Sequence, residues 1–94
     1  MYYDVKETGL RIKNIREIHG YSQEEFSARL NISRNYLSKI EIGLKYPSID
    51  LLVEISLFGE VSMDYLILGK TQNRDIKEMV RTMIEKLQMF EKEL

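Results

Sequence analysis

The chain has no cysteine and a single histidine among its 94 residues. The first absence excludes a disulfide framework and any thiolate metal site. The second leaves zinc or iron centres without ligands to build them. Long hydrophobic runs are missing too. The apolar stretches fall far short of the roughly 20 residues a membrane-spanning helix requires, and nothing at the N-terminus has the zoned pattern of a secretory signal. A soluble, cytoplasmic protein with no membrane partner is expected. Enzyme signatures are equally scarce: no glycine-rich phosphate loop, no nucleophile elbow and no metal-ligand cluster. The adjacent carboxylates Glu24 and Glu25 point in different directions on a helix and are better read as complements to an N-terminal dipole. No catalytic residue, metal or cofactor is expected. Nor is there an excess of either charge: 14 Lys and Arg stand against 15 Asp and Glu, for a formal net charge of −1. Nucleic-acid binders are often basic overall, so neutrality counts against that class unless the charges are locally segregated. The length allows one domain with at most a short appendage, and a modest core that a partner could reinforce.

What is present is organised around Ser22 to Gly43. Ser22 and Glu25 form a capping-box pattern at the start of a short helix. Phe26 and Leu30, four apart, share its buried face. Asn31 tolerates the left-handed conformation of a tight stop, Ile32 plugs the corner, and Ser33 caps a second helix with Leu37 and Ile40 inward. Gly43 closes it. The remaining positions, Arg34, Asn35, Tyr36, Ser38 and Lys39, make a face rich in donors and free of acids. Such a face suits the edges of bases in a major groove.

These features resemble the lambda-repressor-like helix-turn-helix family, which includes phage Cro proteins, phage repressors and many bacterial regulators. The likeness runs from Leu10 to Gly69. Its markers are Arg11–Ile12, Arg16–Glu17, Gly20 to Glu25, Asn31 to Arg34, Ser38 to Glu41, Gly43, Pro47–Ser48 and Val61 to Leu66. It implies an all-α, five-helix DNA-binding domain, here over residues 1–69. It also implies an ion pair between Arg16 and Glu41 that ties the first helix to the end of the reading helix, with Arg16 additionally in reach of a phosphate. Gln23, at a helix N-terminus, is implied as a phosphate or base contact.

On the reading helix, about 33–42, Arg34 can bind guanine and Asn35 adenine through paired hydrogen bonds. Lys39 lies one turn beyond Asn35 on the same face. Ser38 joins them as a base contact. Ser33, Tyr36, Lys45 and Tyr46 are assigned to phosphate. Arg29, Arg34, Lys39 and Lys45 cluster near this helix, whereas Asp50, Glu54, Glu60 and Asp64 fall later. The chain departs from the family in three places. Ile42 and Leu44 replace a usual asparagine and basic residue, Ser27 replaces alanine, and Gly59–Glu60 replaces leucine-glycine, with Phe58 available to fill the missing volume.

Either side of the motif the reading is simpler. Asp4 with Glu7, or else Thr8, caps a first helix that runs to about His19 with Gly20 as its stop, and His19 there suits the helix dipole. Ser48 caps a fourth helix with Leu51, Leu52 and Ile55 inward, and Ser62 caps a fifth that ends at Gly69. After a polar linker from Lys70, residues 74–94 contain no Gly or Pro. Ile76, Val80, Met83, Leu87, Phe90 and Leu94 make a heptad seam over nearly three heptads. Met79 and Ile84 widen it. Self-association through this helix is expected, with folding back onto its own domain as the alternative.

Function follows as sequence-specific binding of double-stranded DNA. A homodimer would set two reading helices about 34 Å apart on an inverted-repeat operator, and repression is the simplest output. The competing reading is an antitoxin or adaptor on the same fold, with a protein partner held by the C-terminal helix.

Overall fold

A computed structural model describes residues 3–70 and 80–89. Five helices follow in order: α1, Val5–Ile18; α2, Gln23–Leu30; α3, Arg34–Glu41; α4, Ile49–Gly59; and α5, Met63–Leu68. The all-α domain expected from sequence is thus observed. Each of these five helices starts where a short polar side chain can satisfy free backbone N–H groups. Asp4 Oδ1 accepts from the amides of Lys6 and Glu7 at 3.0 and 3.3 Å. Ser22, Ser33, Ser48 and Ser62 each accept from the amide three residues on. At Ser22 the box is complete, because the Glu25 carboxylate accepts in return from the Ser22 amide at 3.0 Å. Thr8, the alternative cap, lies instead within α1, fully buried, its hydroxyl without a hydrogen-bond partner among the described residues.

The helices close on one core. Ile12, Phe26, Leu37, Ile40, Ile55 and Leu66 are completely buried, with Ile15, Leu30, Leu51 and Leu52 nearly so. At about 1.5–3 kcal/mol for each large apolar side chain removed from water, this cluster is the main force holding the bundle together. α1 packs against α3 and α5, α2 against α3, and α4 against α5. Gly9 sets the closeness of the first crossing. A Cβ at this position would lie 2.9 Å from the Glu41 carbonyl oxygen and closer still to that of Ile40. Only a residue without a side chain lets α1 approach the end of α3 so nearly. Arg11 Nη1 donates to the Leu66 carbonyl at 3.1 Å and fastens α1 to the last turn of α5.

Two helices end on a non-glycine residue in the left-handed region. Asn31 does so after α2, with φ 58°, as its chemistry allows. Glu60 does so after α4, with φ 53°, although glutamate has no such preference. The residue that lacks a side chain sits one place earlier: a Cβ on Gly59 would lie 3.0 Å from Ile15 Cγ2. Phe58 takes the adjoining volume. Its ring centroid is 5.3 Å from Phe26, 5.5 Å from Tyr21 and 4.6 Å from the His19 imidazole. Arg29 lies over the same ring at 4.7 Å, a cation–π placement. Bulk moved to position 58 therefore leaves position 60 to make the turn.

Of the C-terminal segment, residues 80–89 are helical and every one is exposed. Ile76, Phe90 and Leu94 of the expected seam, with Met79, lie outside the described residues. Val80, Met83, Ile84 and Leu87 are 48–65% exposed, so no described part of the domain covers this stretch. No described helix is long and apolar enough to cross a membrane.

Candidate nucleic-acid interface

The site is built on α3. Leu37 and Ile40 fill the core and Glu41 is 3% exposed, which fixes how α3 can rotate. Three to four residues per turn then place Asn35, Ser38 and Lys39 on the outer arc, with Arg34 at its leading end. Arg34 and Asn35 are exposed and Ser38 and Lys39 half-buried. The side chains of all four make no hydrogen bond or ion pair with other described residues. The first turn of α3 holds no acid, and Lys39 lies in its last turn. The face offers fixed donors at a helix N-terminus and nothing that repels a polyanion.

The rigidity of that face comes from the polar junction behind it. Arg16 Nε donates to Glu41 Oε2 at 2.7 Å, and Nη2 donates to Oε1 at 3.1 Å. Its third nitrogen, Nη1, donates to the Tyr21 carbonyl at 2.8 Å. The side chains are 10% and 2% exposed. Paired hydrogen bonds of this kind are strong and directional, and the one with Glu41 holds the Arg16 guanidinium still more firmly charged than usual. The ion pair implied by the resemblance is therefore formed. The phosphate contact considered for Arg16 is not compatible with it: the guanidinium faces inward with each of its nitrogens already donating.

Gln23 is the first residue of α2. Its Nε2 donates to Glu41 Oε1 at 3.0 Å, so one amide hydrogen is engaged while the residue stays half-exposed at the helix N-terminus. Beside it runs an open cleft of about 290 Å³ between α1 and α3, lined by Lys6, Leu10, Lys13, Gln23, Glu41 and Ile42. Lys6 and Lys13 bring two basic side chains to the cleft that Gln23 also lines. They are not among the site residues read from sequence. The only sequence signal was their spacing, with Leu10, on one face of α1.

The loop after α3 is tied to that helix. The amides of Leu44 and Lys45 both donate to the Lys39 carbonyl, at 2.8 and 3.3 Å. The Tyr36 hydroxyl donates to the Tyr46 carbonyl at 3.2 Å. That hydrogen is the one a phosphate would accept, so Tyr36 positions the loop rather than reaching outward. Lys45 and Tyr46 are exposed, as is Ser33, whose hydroxyl oxygen is occupied by the cap to the Tyr36 amide. Tyr3 packs edge-on against Tyr46 with centroids 5.0 Å apart. Burial, with Tyr46 and Tyr36 adding, pushes its hydroxyl above the ordinary tyrosine range. Ile42 and Leu44 stand out of this loop 60% and 70% exposed.

Comparison with known proteins agrees with this geometry. The HTH_3 family model, described as Helix-turn-helix, matches residues 12–66, more than half of the chain. The HTH-type transcriptional regulator ImmR of Bacillus subtilis is 36% identical over 84 residues, covering 76% of this chain and 66% of ImmR. The chain thus spans about two thirds of the length of that relative. Among solved structures, the biofilm regulator SinR in complex with DNA is 38% identical, with a TM-score of 0.57 over 63% of this chain and 95% of that one. A chain from the SinR–SinI protein complex is 30% identical, with a TM-score of 0.64 over 88% of this chain and 89% of that one.

Proposed function

The chain belongs to the HTH_3 helix-turn-helix family of transcriptional regulators, which are not enzymes, and from that premise we propose that it is a sequence-specific DNA-binding repressor acting as a dimer. The observation that carries this reading is the outer face of α3, where Arg34, Asn35, Ser38 and Lys39 have no side-chain hydrogen bond or ion pair with other described residues. Inserted into a major groove, Arg34 reads guanine and Asn35 adenine, with Lys39 following the groove one turn on. Gln23, Ser33, Lys45 and Tyr46 lie around this face where phosphates would pass, and Lys6 and Lys13 extend that line along the cleft. The DNA-bound SinR structure, similar over this same domain, supports the mode of binding.

Residues 70–94, a linker and a C-terminal amphipathic helix, are the proposed dimerisation element. Its described part presents Val80, Met83 and Leu87 to solvent, a seam that needs a partner. Two domains so joined would place their reading helices about 34 Å apart on one face of an inverted repeat. The test is fluorescence anisotropy with DNA from upstream of the protein's own gene, titrated with salt. Binding that is steeply salt-dependent, and lost when one half-site is scrambled, is expected. Equal affinity for scrambled DNA at moderate salt would reject the reading.

A second reading, a protein-interaction module of antitoxin or adaptor type, is favoured by exposed Ile42 and Leu44 and by likeness to a chain of the SinR–SinI complex. It predicts a stable hetero-complex that retains no DNA.

A further inference from the structure

α4 is apolar on two sides. Leu51, Leu52 and Ile55 point into the core, but Ile49, Val53 and Leu57 form a second line at spacings of four and stand 75%, 41% and 74% exposed. Asp50 and Glu54 run along one edge of that line. The acidic character extends further, because residues 47–69 contain Asp50, Glu54, Glu60 and Asp64 and no Lys or Arg. This side of the domain repels DNA and leaves apolar surface in water, which marks a protein-binding face.

The complement lies on the same chain. Of the exposed apolar residues in 80–89, Met89 lies on the opposite side of the helix; the other four are Val80, Met83, Ile84 and Leu87. On a helical projection they cover about 100°, the width of a helix that docks on a domain surface, wider than a strict two-residue seam. Arg81 borders this stripe on one side and Lys86 on the other, while Glu85 lies toward the back. The lengths agree as well: Ile49 to Leu57 spans about 12 Å and Val80 to Leu87 about 10 Å at 1.5 Å per residue. Pairing two α4 stripes antiparallel would instead bring their acidic edges together, which like-charge repulsion opposes.

We infer that the outer stripe of α4, centred on Val53, receives the basic-edged helix around residues 80–89 of a second copy of this chain. A single such contact is small against the 1,200–2,000 Å² or so of a stable interface. Reciprocal exchange between two chains forms it twice and closes the assembly with two-fold symmetry. The inference rests on the proposal that the C-terminal helix self-associates, and it specifies what that helix binds.

The absence of native cysteine makes the test direct. Full-length Val53→Cys and isotope-labelled Met83→Cys, each at the centre of its stripe, are mixed, oxidised and resolved by mass. A mixed disulfide between the two variants, lost at high dilution, is expected. Its loss in a mixture that also carries Glu54→Lys on the first variant, and its return with Lys86→Glu on the second, would establish the charged edge. Cross-links only between two Met83→Cys chains would show helix-to-helix pairing, overturning the inference while leaving the dimer intact. A disulfide formed within single chains of the double variant, without dimers, would overturn it in favour of folding back. A monomer by sedimentation at every concentration would remove both the inference and the dimer it rests on.

Discussion

The two halves of the bundle are held by different physics. From α1 to α3 the decisive contacts are polar and directional: Arg16 on Glu41, Gln23 on the same carboxylate, and backbone carbonyls of α3 set directly against Gly9. From α4 to α5 there is no basic residue at all, and apolar side chains fill the core and then continue onto the outside. Hydrophobic burial is non-directional, so it holds α4 to the domain without fixing angles finely, and α5 has a single directional tie among the described residues, from Arg11 to the Leu66 carbonyl. A buried, doubly hydrogen-bonded ion pair adds little net stability but tolerates one geometry. The polar device stands where a helix must be aimed, and the apolar one where adhesion suffices.

This contrast can be broken at several points. The largest effect is expected for Glu41→Ala, which strands the Arg16 guanidinium in a buried site. Chemical denaturation should show a loss of about 3–5 kcal/mol, whereas Arg16→Met with Glu41→Leu together should lose far less. Gly9→Ala comes next. Its methyl group must displace the Ile40 and Glu41 carbonyls, and a destabilisation of roughly 1–3 kcal/mol is expected in the same assay. An equivalent alanine on the outer stripe of α4, Val53→Ala, should leave monomer stability within about 0.5 kcal/mol.

Arg34→Ala should leave the fold untouched yet relax base preference at one operator position, weakening specific binding by about 1–3 kcal/mol. Glu60→Gly removes left-handed strain and should raise stability by roughly 0.5–1 kcal/mol. A small, pH-dependent effect belongs to Glu25. The Ser22 amide, and then its hydroxyl, hold this carboxyl below the usual glutamate range. A lowered folded-state value means stability present above the unfolded-state pKa and lost as pH falls through the folded one. Melting curves of the protein and of Glu25→Gln, taken from about pH 7 to pH 3, should therefore converge at the acid end.

The same contrast explains what could be read from the chain alone. Asp4, Ser22, Ser33, Ser48 and Ser62 were legible as caps because a cap is settled within four residues of sequence. Asn31 was legible for the same reason. The ion pair was legible only through family likeness, since nothing local links residues 16 and 41. Gly9 passed unread, because its role depends on carbonyl groups more than thirty residues away. The left-handed turn at Glu60 is not legible locally, because it depends on Ile15 crowding position 59. The outward face of α3 is legible from helical periodicity, but periodicity does not report what a hydroxyl or amide meets. Tyr36 therefore gave its hydrogen to the Tyr46 carbonyl, and Gln23 leaned on Glu41. The outer line on α4 was masked by the stronger inner one, as two stripes on one helix blur each other's pattern.

The tie from the Tyr36 hydroxyl to the Tyr46 carbonyl has a mechanical consequence. With the Leu44 and Lys45 amides also fastened to Lys39, the loop and the helix before it move as one casting. In the proposed complex, contacts of this loop with phosphates could then not shift independently of contacts of α3 with the bases. On the proposed dimer, an operator with slightly mis-set half-sites would have to bend or twist to fit, and the flexibility of base steps that no side chain touches would become part of what is selected.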